Sequence, residues 1–285
     1  MMSFKRFFFL LFNDPFWIVY PLLKLIYNYK KKKLLKSYYK NQLDILVSKF
    51  DNVISEKEID QYTPIDPNLN EQIPPKPIDL SRLYNLIRAE KPFTVLEFGV
   101  GYSTLVIAKA LKKNEEEFNK KNEKEIRNTK MFKLYVVDTQ EKWIENLKRN
   151  IPDELKKYIV LSHSNTYAEL YNGQVCHFYD KIPDINPEFI YLDGPHPLDP
   201  EGDINGLSFK CFERTPIAAD ICLLESTLLP GCKILVDGRT NNVRFLKNNL
   251  RRNYSFKWDR IGDVTLITLN EKKLGKLNKL GFEYY

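Results

Sequence analysis

Histidine and cysteine, the residues that most often announce a metal centre or a disulfide framework, are scarce in this chain of 285 residues: there are 3 of the first and 4 of the second. Cys176, Cys211, Cys222 and Cys232 show no Cys-x-x-Cys spacing, and His163, His177 and His196 complete no zinc pattern. Reduced, mostly buried thiols in a cytoplasmic protein are therefore expected. An uninterrupted apolar run of about 20 residues, which a spanning helix needs, is also missing. The one candidate, residues 7–27, is broken by Asn13, Asp14, Pro15, Pro21 and Lys24, and no small-residue cleavage site follows it.

Positive charge is missing from most of the chain as well. The formal net charge is +7, but residues 1–50 hold ten Lys or Arg against Asp14 and Asp44, a net +8; the remainder holds 34 against 35, a net −1. A nucleic-acid enzyme would concentrate basic residues around the cleft that binds phosphates, so no nucleic-acid partner is expected. The composition, 43% hydrophobic and 28% charged, belongs to a folded chain and argues against global disorder.

What the chain does contain falls into four stretches. Residues 1–50 are basic and aromatic: Phe16, Trp17, Tyr20 and Tyr27 precede Lys30, Lys31, Lys32 and Lys33. Trp and Tyr favour the membrane boundary, and each Lys near an anionic surface adds about 1 kcal/mol of attraction. Residues 1–40 thus read either as a contact with an anionic membrane surface, making the protein peripheral, or as a helical cap on the domain. Residues 51–80, with Pro64, Pro67, Pro74, Pro75 and Pro77, read as an extended connector. A catalytic domain is expected over 81–270, opened by a short helix at 81–89, with a basic tail at 271–285. Within the domain, residues 112–130 hold only Phe118 and Ile126 as large apolar side chains and read as an exposed insertion or a helix extension.

The sharpest signal is Val95-Leu-Glu-Phe-Gly-Val-Gly-Tyr-Ser-Thr104. An apolar run, an acid and two glycines precede a helical pattern, with Ser103 or Thr104 placed near its N-cap. Gly99 and Gly101 allow unusual backbone angles and close approach of a ligand, and the helix N-terminus would favour an anionic group. A dinucleotide-binding turn would want a third glycine where Thr104 stands. Glu97, Gly99 and Gly101 together resemble motif I of the class I S-adenosylmethionine-dependent methyltransferases, in which the acid and the glycine turn hold the methionine and ribose end of the cofactor.

Strand and helix patterns then alternate, as in a parallel sheet covered on both faces. Strands are expected at 93–97, 133–138, 159–163, 189–193 and 233–237, and ligands bind at the carboxyl ends of such strands. Asp138 ends the second and can accept from ribose hydroxyls, in which it resembles motif II of the same family; capping the next helix, 141–150, is its other reading. Ser164 and Asn165 stand where these methyltransferases often contact adenine. Residues 175–180 read as an extra strand or hairpin arm, in which His177 is structural.

The fourth strand runs into Asp193-Gly-Pro-His196, which places a carboxylate and an imidazole in one exposed turn. It resembles the Asp-Gly-x-His motif of small-molecule O-methyltransferases of the catechol-like and macrolide-sugar kinds. The resemblance implies that Asp193 lies by the methionine amino group or binds a metal, and that His196 is a base; an imidazole suits proton removal near neutral pH. Asp203 reads as a substrate-side group or the start of the next helix. A Pro-Gly turn then leads to Asp237, and metal-dependent relatives follow that Asp with Asp or Asn. Gly238 stands there instead, leaving Asp193 and Asp237 as candidate Mg²⁺ ligands with waters. A helix at 242–250, a strand at 254–261, a Gly262-Asp263 turn and a strand at 264–269 close the chain as a hairpin.

The expectation is an α/β, Rossmann-like seven-stranded methyltransferase sheet with an antiparallel C-terminal hairpin and a helical N-terminal extension. The resemblance implies S-adenosyl-L-methionine as cofactor and a small-molecule, sugar or lipid-linked hydroxyl as acceptor. A membrane-associated binding or scaffold protein with the same fold is the alternative. For the basic segment the outcome is decided by flotation: full-length protein is expected to rise with anionic vesicles and a chain lacking residues 1–50 is not, whereas equal recovery would leave the cap.

Overall fold

Residue pattern dictates the centre of the sheet. β1 (Thr94–Phe98) is followed by α2 (Tyr102–Lys121), and α1 (Pro77–Glu90) precedes it. All five residues of β1 are buried, as befits a strand covered on both faces. The computed structural model describes residues 77–121, 128–210, 218–260 and 262–272. The basic N-terminal segment, residues 51–76 of the connector, Cys211 and residues 273–285 lie outside them.

The chain continues through β2 (Lys133–Asp138), α3 (Glu141–Asn150), the single turn α4 (Asp153–Lys156) and β3 (Ile159–His163). β4 (Thr166–Tyr171) and β5 (Gln174–Tyr179) form a separate hairpin, and β6 (Phe189–Leu192) returns to the sheet. A small hairpin, β7 (Asp203–Ile204) with β8 (Leu207–Ser208), precedes α5 (Asp220–Leu224), β9 (Lys233–Asp237) and α6 (Thr240–Asn249). β10 (Tyr254–Asp259) and β11 (Val264–Leu269) end the described chain.

The seven strands lie in the order β10-β11-β9-β6-β1-β2-β3. β3, β2, β1, β6 and β9 are mutually parallel, and β11 runs antiparallel between β9 and β10. The order reverses at β1, with β2 on one side and β6 on the other, so a crevice opens beyond the carboxyl ends of β1 and β6. This is the expected fold class. One face of the sheet buries Val95, Val136 and Tyr191 under α1, α2 and α3; the other buries Leu96, Phe98 and Leu192 under β5, α5 and α6.

Several boundaries differ from the sequence expectation. α1 begins at Pro77, inside the expected connector, because proline suits a first helical turn where no N–H is needed. α2 begins at Tyr102, and residues 112–121 extend it as a helix. The extension is not wholly solvent-facing: Asn114 is buried, and Phe118 packs on Phe93 and Phe132. The hairpin loop between β10 and β11 spans residues 260–263 and not two residues, since Asp259 pairs with Val264. The β4–β5 and β7–β8 hairpins were not expected as such. Asn172-Gly173 and Asn205-Gly206 turn them, all four residues at positive φ, which is the Asn-Gly type I′ signature.

His177 is buried and pushed down to about 4 by burial, hence neutral and structural. Cys176, Cys222 and Cys232 are buried free thiols, the first two pushed up to about 12 by burial. Among the described residues no helix is long and apolar enough to cross a membrane.

Two backbones meet closely where the chain leaves β1 and β6. Phe98 O accepts both Asp193 N–H, at 3.0 Å, and Gly194 N–H. A Cβ on Gly194 would stand 2.5 Å from Gly99 Cα, and one on Gly99, whose φ is +102°, would stand 2.8 Å from Gly194 N. Gly194→Ala is therefore expected to cost about 1–3 kcal/mol of stability by overpacking, read as a lower urea midpoint; an unchanged midpoint would show that the two turns can separate.

Candidate active site

The first wall of the crevice is the β1–α2 turn. Glu97 is fully buried at the end of β1. Burial pushes its carboxyl up to about 8, and the nearby carboxylates of Asp193 and Asp138 add to this, against the lowering effect of the Ser103 and Thr104 hydroxyls. Ser103 Oγ donates to Oε1, while Oε2 has no hydrogen-bond partner. Gly101, not Ser103 or Thr104, is the residue just before the helix; Thr104, itself buried, accepts Gly101 N–H at 3.2 Å. The expected N-cap moves because α2 starts at Tyr102, which releases the Ser103 hydroxyl to reach back to Glu97.

The second wall is the β2–α3 turn, built around Asp138. One of its oxygens accepts Val100 N–H and the other Gln140 N–H, each at 2.7 Å. Desolvation outweighs these bonds and raises its carboxyl to about 6. Asp138 thus both ends its strand and ties the two turns together, a role the sequence reading had not given it.

The third wall is the segment after β6. Residues 194–199 pass from the end of β6 to the end of β2, where Asp199 is held. Its carboxylate accepts from the Thr139 hydroxyl, from Gln140 Nε2 at 2.5 Å and from His196 N–H at 3.0 Å. Asp199 is a residue that sequence reasoning passed over. Its only signal was membership of an acidic loop, and its side-chain partners Thr139 and Gln140 belong to a distant part of the chain.

Beside the second and third walls lies a cleft of about 410 Å³, lined among others by Gln140, Lys142, Trp143, Asn165, His196 and Lys210. The expected adenine pair is split. Asn165 lines the cleft, whereas Ser164 is buried and accepts Lys181 N–H at 2.9 Å, fixing the chain behind it. His196 reaches the cleft, and its Nδ1 accepts Leu198 N–H at 3.3 Å.

Asp193 and Asp237, the expected Mg²⁺ ligands, have other company. Arg239 donates to Asp193 O and lies 3.9 Å from its Oδ1; the Tyr191 hydroxyl donates to Asp237 Oδ2 at 3.2 Å. No group of three His, Cys, Asp or Glu among the described residues could hold a metal ion. The donor set does not fit Mg²⁺, because a guanidinium already supplies positive charge beside Asp193 and no third protein ligand converges. Asp203 is exposed at the start of β7, where it accepts Gly206 N–H at 3.0 Å.

No protein-family model and no curated protein matches the chain. Solved structures do. A candidate O-methyltransferase from Klebsiella pneumoniae aligns with a TM-score of 0.50 at 11% identity, over 84% of this chain and 100% of its own. A methyltransferase from Podospora anserina solved with S-adenosylhomocysteine gives 0.47 at 12% identity, over 82% and 96%. An O-methyltransferase from Streptomyces achromogenes involved in tomaymycin synthesis, solved with S-adenosylmethionine, gives 0.46 at 12%, over 80% and 96%. At such identities the likeness is one of architecture: the chain has the α/β fold found in class I methyltransferases.

The buried Glu97 sets a pH dependence. Its folded value near 8 lies above the ordinary 4.5, so the folded state holds a proton that the unfolded chain has lost, and stability falls as pH rises through that window. Glu97→Gln is expected to flatten the decline in Tm between pH 5 and pH 8. An unchanged slope would mean that the carboxyl is ionised in the folded protein throughout.

Proposed function

We propose that the protein is an S-adenosyl-L-methionine-dependent methyltransferase acting on a hydroxyl of a small-molecule, sugar or lipid-linked acceptor. The observation that carries this reading is Glu97 Oε2, a fully buried carboxyl oxygen without a hydrogen-bond partner beside a glycine turn. An unsatisfied buried oxygen costs about 1–3 kcal/mol, and a ligand with N–H or O–H groups seated in the turn would recover it. The cofactor, when bound, supplies an activated methyl group.

The chain's own contribution is placement. Glu97 and Ser103 would hold the charged methionine end, with Gly99 and Gly101 allowing the backbone close approach. Asp138 keeps lone pairs beyond its two backbone bonds and would accept from the ribose hydroxyls. Asn165 and Trp143 would bound the adenine side. On the acceptor side His196, which lines the cleft, would take the acceptor's proton, and Asp193, beside Arg239, would orient the cofactor. Methyl transfer gains most of its rate from such alignment. The domain carrying this activity is assigned to residues 81–270, with the α1 turn at 77–80 as its lead-in.

Calorimetry tests the reading. The wild type is expected to bind S-adenosylmethionine, Asp138→Ala to bind it at least about tenfold more weakly, a loss of about 1.4 kcal/mol, and His196→Ala to keep affinity but lose methyl transfer. No binding by the wild type would overturn the enzyme and leave the non-catalytic scaffold.

A further inference from the structure

The structure interrupts the path that the proposed cofactor would take. Glu97, Gly99 and Gly101 stand at or just after the end of β1, whereas Trp143 and Asn165 stand beyond β2 and β3, so a cofactor held at both places must pass the carboxyl end of β2. The cleft that Trp143 and Asn165 line is lined by none of Glu97, Gly99, Gly101 and Asp138. Residues 194–199 separate the two. β1 lies between β6 and β2 in the sheet, so a segment that leaves β6 and is tied at the end of β2 crosses the end of β1. Its first residue, Gly194, meets Gly99 of the glycine turn, and His196, Leu198 and Asp199 line the cleft on the other side.

The segment is held at both ends, by contacts of different kinds. At Gly194 the contact is backbone against backbone, with Phe98 O accepting the N–H groups of Asp193 and Gly194. At Asp199 two neutral side chains hold a half-buried carboxylate: the Thr139 hydroxyl donates to one oxygen, and Gln140 Nε2 donates to the other at 2.5 Å. Within the turn, His196 N–H donates to the Asp199 carboxylate and Asp199 N–H donates back to His196 O, each at 3.0 Å. Pro195, Pro197 and Pro200 restrict φ at three more positions. A piece so closed on itself moves as a unit. Side-chain hydrogen bonds beside an open cleft, which water can replace, give way before a packed backbone contact does.

We infer that residues 195–199 are a strap across the cofactor site and that Asp199 is its latch: S-adenosylmethionine takes its place only when the carboxylate releases Thr139 and Gln140, and the strap stays released while the cofactor lies across the end of β2. The strap's role rests on the methyltransferase reading, because that reading names the ligand whose path is crossed. Latch and cofactor then compete for the same ground, and the apparent affinity is the intrinsic one reduced by the released fraction. A latch therefore weakens binding, whereas a residue that holds the cofactor strengthens it, so the two roles of Asp199 differ in sign.

Stopped-flow mixing of the full chain with S-adenosylhomocysteine tests this, followed by tryptophan fluorescence, for which Trp143 in the cleft is the reporter. Asp199→Ala removes the latch. Thr139→Val removes one of its two donors and leaves the bonds within residues 196–199 in place, so it decides the matter alone if Asp199→Ala folds poorly. Loss of one net hydrogen bond at the latch should make Thr139→Val associate about threefold faster and bind about threefold more tightly, and loss of both should make the gain about tenfold in Asp199→Ala. Dissociation should stay within about twofold of the wild type in each, since the released strap is not what holds the ligand. Association unchanged in both variants would overturn the latch and leave the methyltransferase reading standing. Weaker binding with faster dissociation would also overturn it, by making Thr139 and Asp199 contacts of the cofactor. No binding by the wild type or either variant would overturn the methyltransferase reading and the latch with it.

Discussion

The structure depends on two glycines meeting backbone to backbone. Gly99 leaves β1 and Gly194 leaves β6, and neither has room for a Cβ against the other. Their contact draws the segment carrying Asp193 and His196 across the carboxyl end of the central strand. Without it the β6 segment could not reach β2, where Asp199 is held by Thr139 and Gln140. A steric constraint at one point thus assembles walls supplied by three different strand ends.

That assembly concentrates carboxyl groups in a poorly solvated place. Glu97 and Asp138 are both raised by burial, and both neighbour further acids. The backbone offsets part of the cost at Asp138 through two N–H donors, and Ser103 does so at one oxygen of Glu97. The remainder is left for a ligand. Arg239 beside Asp193 belongs to the same balance, since a fixed cation on the opposite side of the crevice limits the repulsion among these groups. A site whose polar groups are complete only when filled is preorganised for binding.

Much of this was legible in the residues. Alternation of apolar runs and helical patterns gave β1, β2, β3, β6 and β9, and the four strand-ending acids Glu97, Asp138, Asp193 and Asp237 marked the candidate edge. The glycine turn after Glu97 and the acid at Asp138 carried their meaning locally, because turn geometry is set by a few adjacent residues. The β4–β5 hairpin was half seen: its second strand was noted, yet Asn172-Gly173, the residues that turn it, went unused. Asp199 and Arg239 were not legible in the sequence, since their contacts to Thr139, Gln140 and Asp193 O reach far along the chain.

The sequence by itself determined the order of strands and helices, the glycine turn and the identity of the acids, all of which follow from periodicity and local backbone preference. Tertiary structure decided what those acids face. It turned Asp138 into a tie between two turns, brought a backbone N–H of Leu198 to His196 Nδ1, and set Arg239 beside Asp193. Those outcomes depend on which strand ends become neighbours in space, and neighbours in space are fixed by packing, not by spacing along the chain.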